Sequence, residues 1–421
     1  MTKLCPTGQT AIVGLGTPCH LKGHPMLRSA LILGLLGLVG PFAIDMYLPA
    51  MPAIAAGFGT SETAVQATIT AYFIAFGLAQ LIYGPWADQV GRKVPILFGL
   101  AIFIIASFGA AFAPTIEALT GWRALQGFGG AVLMVVPRAI IRDMYTGTQA
   151  TRLMAMLMLV ISISPMLAPL AGSIVLALAD WRWIFAILGF LAVAALVLTV
   201  VAQPETLPKS ARVRVNLPNL MRGAGMLVRD PIFMGLTFIG GFAMGSFFVF
   251  IAFAPFVYTG QYGLGPTGFS VAFAVNAIGF FSASQLAGWL GERWGMRRLV
   301  RRGVAGFVLF TSAIFLLSLA SDPGLYLVIA ALFCANACLG VVIPTVMVVA
   351  LDDHGDIAGL ASSLGGTLQM LAGGLSIALA GLVFDGTVVP MLGAIAACGL
   401  IAAALTLILL RPRTVVVHIT E

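Results

Sequence analysis

Charge is what this sequence lacks. Only 9% of its 421 residues are charged, and 60% are hydrophobic. Soluble domains carry about 25% charged residues. Mean hydropathy is +1.06. No water-facing surface can be built from this composition, so the chain is read as an integral membrane protein. Histidine is equally scarce. All four histidines (His20, His24, His354 and His418) fall in tails or a loop. There is no His-Glu-x-x-His motif and no pair of acids inside an apolar run, which argues against an intramembrane enzyme. None of the lysines Lys3, Lys22, Lys93 and Lys209 follows a glycine. That excludes a phosphate-binding loop, and with it an ATP-driven pump made of this chain alone. Of the five cysteines, Cys334, Cys338 and Cys398 lie in apolar runs and read as small packing residues. Cys334 and Cys338 share a helix face, but no histidine or carboxylate lies in their run, so neither metal nor other cofactor is expected.

What the sequence does contain is long, continuous apolar segments and 49 glycines. A helix needs about 20 apolar residues to cross the hydrocarbon layer. Membrane barrels show short alternating segments instead. Twelve helical spans are predicted: 27–50, 62–84, 94–113, 117–138, 150–177, 181–202, 231–256, 267–290, 301–320, 324–349, 357–383 and 388–410. Residues 1–26 form an N-terminal tail, 27–202 a first six-helix half, 203–230 a linker, 231–410 a second half and 411–421 a C-terminal tail. The tail carries Cys5, Cys19, His20 and His24 in a spacing that fits no zinc pattern. It is expected to be disordered, or to precede a true start at Met26. The linker is Pro-rich, basic and amphipathic in places, as a helix lying on the membrane surface would be.

Lysine and arginine fix the orientation. With the N-terminus in the cytoplasm, 20 of the 22 fall in cytoplasmic segments. Only Arg182 lies outside, and Arg123 lies within a span. Both termini are therefore expected in the cytoplasm. The net charge of +7 faces the anionic inner leaflet and is no sign of nucleic-acid binding.

The two halves repeat. "GPWADQVGRK" at 84–93 matches "GWLGERWGMRR" at 288–298, with Gly84, Asp88 and Gly91 against Gly288, Glu292 and Gly295, each pair 204 residues apart. Both segments follow the second span of a six-span half. Such repeats are typical of secondary transporters that rock about a central site.

Segments "DMYLPAMPAI", "QLIYGPWADQVGRK", "RALQGFGGA", "WRWIF", "PETL" and "GSFFVFIAFAPFVY" occur in this order. Through them the chain closely resembles the bicyclomycin/chloramphenicol-resistance (Bcr/CflA) group, in the drug:proton antiporter branch of the major facilitator superfamily. The resemblance covers about residues 27–410. It implies an all-α membrane fold of twelve helices in two pseudo-symmetric halves, in a bacterial inner membrane. It also implies multidrug efflux of small amphipathic antibiotics in exchange for protons, by a monomer. The alternative is a proton-coupled exporter or symporter of a small metabolite such as a sugar or amino acid.

Several positions follow from it. Gly84, Asp88, Gly91, Arg92 and Lys93 correspond to a conformational latch, with Arg142 and Asp143 as members of the same charge cluster. On the residues alone, a tight turn with ordinary inner-face charge explains them equally well. Family members carry a basic residue where Gln89 stands, which implies a looser cluster here. Gly288, Glu292, Gly295, Arg297 and Arg298 form the second-half counterpart. In the fifth span, Ser164, Ala168, Pro169, Gly172 and Ser173 occupy the antiporter small-residue motif, with serine or alanine at two expected glycines.

Only two charges sit well inside spans, Asp45 and Arg123. A charge at that depth costs at least about 2.5–3.5 kcal/mol on insertion scales, so it usually marks function. Counting residues from the span ends puts both in the same outer layer of the first half. A carboxylate whose distance from an arginine changes between two states also changes its proton affinity. Asp45 and Arg123 are thus candidates for proton coupling. A fixed structural ion pair and two solvated cavity residues remain open alternatives. Candidate substrate contacts on cavity-lining spans are Tyr47, Gln66, Tyr72, Gln126, Phe247, Phe250, Tyr258, Asn276 and Gln369.

Overall fold

The computed structural model describes residues 25–212, 217–352, 354 and 357–410. The expectations for both tails lie outside the described residues. The chain is all helical, and twelve of its helical segments are long and apolar enough to cross a membrane. The first span is broken. α1 (Pro25–Asp45) stops at Asp45, a 3-10 turn covers Leu48–Ala50, and α2 (Met51–Phe58) completes the crossing. Pro49 and Pro52 have no N–H to donate and break the ladder there. The next spans are α3 (Glu62–Val90), α4 (Lys93–Ala111), the jointed pair α5 (Ile116–Gly130) and α6 (Val132–Met144), α7 (Gly147–Leu178) and α8 (Arg182–Ala202). A short helix, α9 (Leu217–Arg229), occupies the linker. The second half is α10 (Pro231–Gly260), α11 (Pro266–Trp294), α12 (Met296–Ala320), α13 (Leu325–Asp352), α14 (Ala358–Gly381) and α15 (Val388–Leu409).

Local chemistry sets several boundaries. Ser61 and Thr115 cap α3 and α5 by accepting from Ala64 N and Ala118 N, and Asp230 caps α10 through Ile232 N. Glycines bring α5 hard against its neighbours. A β-carbon at Gly127 would lie 2.3 Å from the Tyr72 carbonyl oxygen, and one at Gly129 would lie 2.6 Å from the Gly99 oxygen. Small residues permit such close helix approach in membranes. Large apolar side chains such as Ile105, Phe190, Leu316 and Leu407 stay exposed on the outer helices, where the solvent is lipid.

The halves join along two seams, α3 against α14 and α7 against α11. The 3-10 turn and α2 add contacts to α10 and α11. The hydrogen bonds that cross between halves, among the described residues, lie in mid-bundle or at the end away from the basic loops. Thr367 donates to the Gly77 carbonyl (2.8 Å) and Thr63 to the Gly381 carbonyl (3.5 Å). Ser173 and Ser270 share a hydroxyl bond of 2.6 Å. At the end opposite the Lys/Arg-rich loops the halves are thus bonded to each other.

Candidate functional site

The break in the first span organises the first-half site. A helix that stops leaves its last carbonyls without intrahelical partners. One of these, Ala43 O, accepts from Arg123 Nη1 at 3.0 Å. Arg123 sits on α5 and is completely buried. The same Nη1 donates to Gln126 Oε1 (2.5 Å), and Gln126 Nε2 donates to Ser107 Oγ (2.8 Å). The guanidinium lies 4.6 Å from the ring centroids of both Tyr47 and Tyr72. Tyr47 is held in turn by a 2.8 Å hydroxyl bond with Thr68. A desolvated cation over an aromatic face gains roughly 2 kcal/mol per good contact. The cage thus offsets part of the cost of burying the charge. It leaves Arg123 Nε and Nη2 buried without a hydrogen-bond partner.

Asp45 is also buried, two residues beyond Ala43 at the last turn of α1. No ion pair joins it to Arg123 among the described residues. The arginine holds the backbone of this segment, not the carboxylate. Arg123 reaches the same end of α1 that carries Asp45, but the two charges are not paired in this state. Sequence spacing fixes depth and leaves rotation about the helix axis free.

The small-residue motif meets the same break. A β-carbon at Gly172 would lie 2.3 Å from the Met46 carbonyl oxygen and 3.0 Å from Pro49 Cγ. Ala168 is fully buried, and the Pro169 carbonyl accepts from both Ser173 (3.0 Å) and Ser270 (2.9 Å). Ser164 is buried with its hydroxyl unpartnered.

At the basic end of the bundle the latch residues form a compact ion cluster. Arg92 donates through Nε (2.7 Å) and Nη2 (3.2 Å) to the two carboxylate oxygens of Asp143, and through Nη1 to Asp88 (2.5 Å). Gly91 has φ +105°, a conformation that side chains resist. A carboxylate that spacing alone did not single out completes the cluster. Glu205, just past α8 in "PETL", accepts from Arg92 N (2.8 Å), Lys93 N (3.1 Å) and Leu207 N (3.0 Å). It thereby caps α4, whose first N–H groups otherwise lack partners. A β-carbon at Gly91 would lie 2.5 Å from Glu205 Oε2. Burial pushes the Glu205 carboxyl up, but these three backbone donors and nearby Arg212 outweigh it and hold it below the usual range. Lys93 Nζ reaches the Val200 carbonyl at 2.9 Å. Arg142 departs from expectation. It is exposed and makes no ion pair among the described residues, because α6 turns its neighbour Asp143 toward Arg92 instead. Gly84 has open space around its α-carbon.

The second-half counterpart keeps the turn but not the cluster. Gly295 has φ +81°. Glu292, Arg297 and Arg298 are exposed without ion pairs among the described residues, and Gly288 is unconfined. Where Arg92 stands in the first half, Met296 stands in the second.

The nine substrate candidates do not gather into one cluster. Tyr47, Tyr72 and Gln126 are taken up in holding Arg123. Phe250 stacks on Phe273 (5.6 Å) and Phe247 on Phe280 (5.3 Å). Asn276 accepts from Asn336 at 3.3 Å. Gln369 fills the space over Gly240, where a β-carbon would lie 2.5 Å from its Nε2. Gln66 is buried with both amide atoms unpartnered, as is the Tyr258 hydroxyl. The polar and aromatic residues were legible in the sequence; their partners were not.

Twelve spans in two pseudo-symmetric halves, a broken first helix carrying a buried acid and a glycine-turned ion latch define a secondary membrane transporter. The Major Facilitator Superfamily profile matches residues 33–377, and the chain belongs to that family. It is 33% identical to the uncharacterized MFS-type transporter YdgK of Bacillus subtilis, over 88% of this chain and 92% of that one. It is 29% identical to a bicyclomycin resistance protein homolog of Haemophilus influenzae, over 88% and 93% of the two chains. A chloramphenicol resistance protein of Pseudomonas aeruginosa is 32% identical over 68% of each. A crystal structure of a D-xylose-proton symporter shares the fold, with TM-score 0.71 and 16% identity over 90% of this chain and 97% of that one. The chain is a multi-pass protein of the bacterial inner membrane and a transporter, not an enzyme.

Proposed function

We propose that this chain exports small amphipathic antibiotics, of the bicyclomycin and chloramphenicol kind, in exchange for protons. It works as a monomer with both termini in the cytoplasm, without cofactor or ATP. The basic end of the bundle then faces the cytoplasm, and the end where hydroxyls bond the halves together faces outward. The relatives' resistance names support the substrate class. The observation that carries the coupling is the incomplete cage of Arg123. Two of its nitrogens are buried and unpartnered, and Asp45, buried at the same helix break, does not pair with it among the described residues. A shift at the break brings carboxylate and guanidinium together or apart. Proximity to a fixed cation lowers a carboxylate's proton affinity, and separation raises it. That exchange links proton uptake to the opening of one side and proton release to the opening of the other. Acids at such depths commonly serve as proton relays.

The test is drug accumulation in cells stripped of their main efflux pumps, comparing wild type with Asp45→Asn. Wild type is expected to lower accumulation, a protonophore to abolish the effect, and Asp45→Asn to lose it at normal membrane levels. Export by Asp45→Asn equal to wild type would move the coupling proton elsewhere and make Asp45 structural. No export of any tested antibiotic by wild type would favour a metabolite exporter.

A further inference from the structure

The loop between α11 and α12 is the second copy of the latch, and it is left open. A cavity of about 630 Å³ lies there, lined by Arg293, Trp294, Arg297, Arg298, Val349 and Asp352 among others. Among the described lining residues are three arginines and one carboxylate, Asp352, and none of the four makes an ion pair among the described residues. In the first half the corresponding loop is neutralised from within the chain, by Asp88, Asp143 and Glu205. Here α12 starts from Gly295 with no side-chain cap, and Met296 replaces the arginine that would recruit Asp352. Both copies turn at a glycine of positive φ, but among the described residues no carboxylate pairs with the arginines of the second copy.

The surroundings indicate where the anion comes from. Trp289 and Trp294 are exposed beside the cavity, and Arg293 and Arg302 lie over their rings at 5.5 and 4.7 Å. Tryptophan and arginine together mark headgroup depth. Guanidinium forks match phosphate oxygens pairwise. The volume falls within the roughly 300–1,000 Å³ of small-molecule sites, more than a bare phosphate fills. We propose that this cavity binds the phosphate of an anionic lipid headgroup, which supplies to α12 the negative charge that Glu205 supplies to α4. The assignment to the cytoplasmic leaflet rests on the orientation given above.

The full chain, purified in a neutral detergent, is examined by native mass spectrometry with dioctanoyl phosphatidylglycerol. Dioctanoyl phosphatidylcholine and inorganic phosphate are run separately and as competitors. Wild type is expected to retain phosphatidylglycerol over phosphatidylcholine. Each of R293Q, R297Q and R298Q weakens retention about fivefold, as expected for one basic side chain at an anionic surface. D352N, which removes the opposing carboxylate, strengthens it. Displacement by inorganic phosphate at equal concentration would keep the phosphate site but overturn a lipid source. Equal retention of the two lipids, or retention by R298Q and weakening by D352N, would overturn the site itself. Single variants and D352N keep the test readable if a triple arginine variant fails to fold. No step depends on drug export, so the outcome is separable from that of the proposed function.

Discussion

The two halves share a backbone plan and differ in where they keep their charge. The first buries Asp45 and Arg123 and closes its latch on itself through Arg92, Asp88, Asp143 and Glu205. The second buries no charged residue among those described. It packs stacked phenylalanines and an Asn276–Asn336 pair at comparable depth, and its latch loop stands open. Pseudo-symmetry therefore extends to helices and turns but not to chemistry. The first half holds the buried charges on which the proposed proton coupling rests, and the second presents an apolar, aromatic interior.

The comparison is most severely broken by removing the buried arginine. Arg123→Ala leaves Gln126 and the Ala43 carbonyl without their donor in a water-free layer. Unsatisfied buried groups cost about 1–3 kcal/mol each. Export is expected to vanish, with a clear loss of thermal stability in detergent. Arg123→Lys keeps the charge but not the fork, and is expected to retain under a tenth of the export. If Arg123→Lys exports as wild type does, charge alone suffices and the cage geometry is incidental. Gly172→Val comes next. A branched side chain cannot fit 2.3 Å from the Met46 carbonyl. Overpacking typically costs about 1–3 kcal/mol, here placed on the break beside Asp45. Export is expected to fall more than membrane abundance does, measured as flux per molecule in vesicles. Unchanged flux would detach the small-residue motif from the break.

A smaller effect is expected from making the first latch resemble the second. Arg92→Met removes the pairing of Asp88 and Asp143 and should slow export severalfold without abolishing it, while Met296→Arg should draw Asp352 into a new pair and cost little. A large loss from Met296→Arg instead would show that the open second latch must stay open. The smallest effect belongs to Glu205→Gln, which keeps the shape and removes the charge at the α4 cap. Because Glu205 is largely exposed, its loss is expected to cost no more than about 1 kcal/mol in thermal stability. Its carboxyl is held below the ordinary value, so its contribution is complete above about pH 4.3 and is lost only as pH falls through the lower folded value. Wild type and Glu205→Gln should therefore show the same pH dependence of export from pH 6 to 8. A difference in that range would make the latch itself a proton sensor.

What the sequence could disclose follows from the physics it encodes locally. Twelve spans are legible because hydropathy sums over about 20 residues. The break at Asp45 is not, since an average over that window is blind to one interrupted turn; Pro49 and Pro52 were the available sign. Because of it the first crossing runs to Phe58, beyond the predicted end at residue 50. Asp45 and Arg123 stood out as charges in oil, but their separation depends on helix rotation. Tyr47, Tyr72 and Gln126 have the composition of a drug pocket. The same side chains suit a buried cation, and only three-dimensional neighbours decide between the two. Arg142 was grouped with Asp143 by adjacency, yet consecutive helix residues point about 100° apart. Glu205 lay in a linker, where spacing from Gly91 carries no signal.

The bonds that join the halves at the end opposite the basic loops have a consequence of their own. They are between hydroxyls and carbonyls: Ser173, Ser270, the Pro169 and Pro266 carbonyls, and Thr63 with Gly381. Neutral bonds of this kind are worth about 0.5–1.5 kcal/mol each and do not titrate. Salt screens separated charges, not dipoles already in contact. In the proposed orientation this end meets the medium, which a cell does not control. A joint fastened by hydroxyls offers the same small resistance there in brine, in acid or in fresh water.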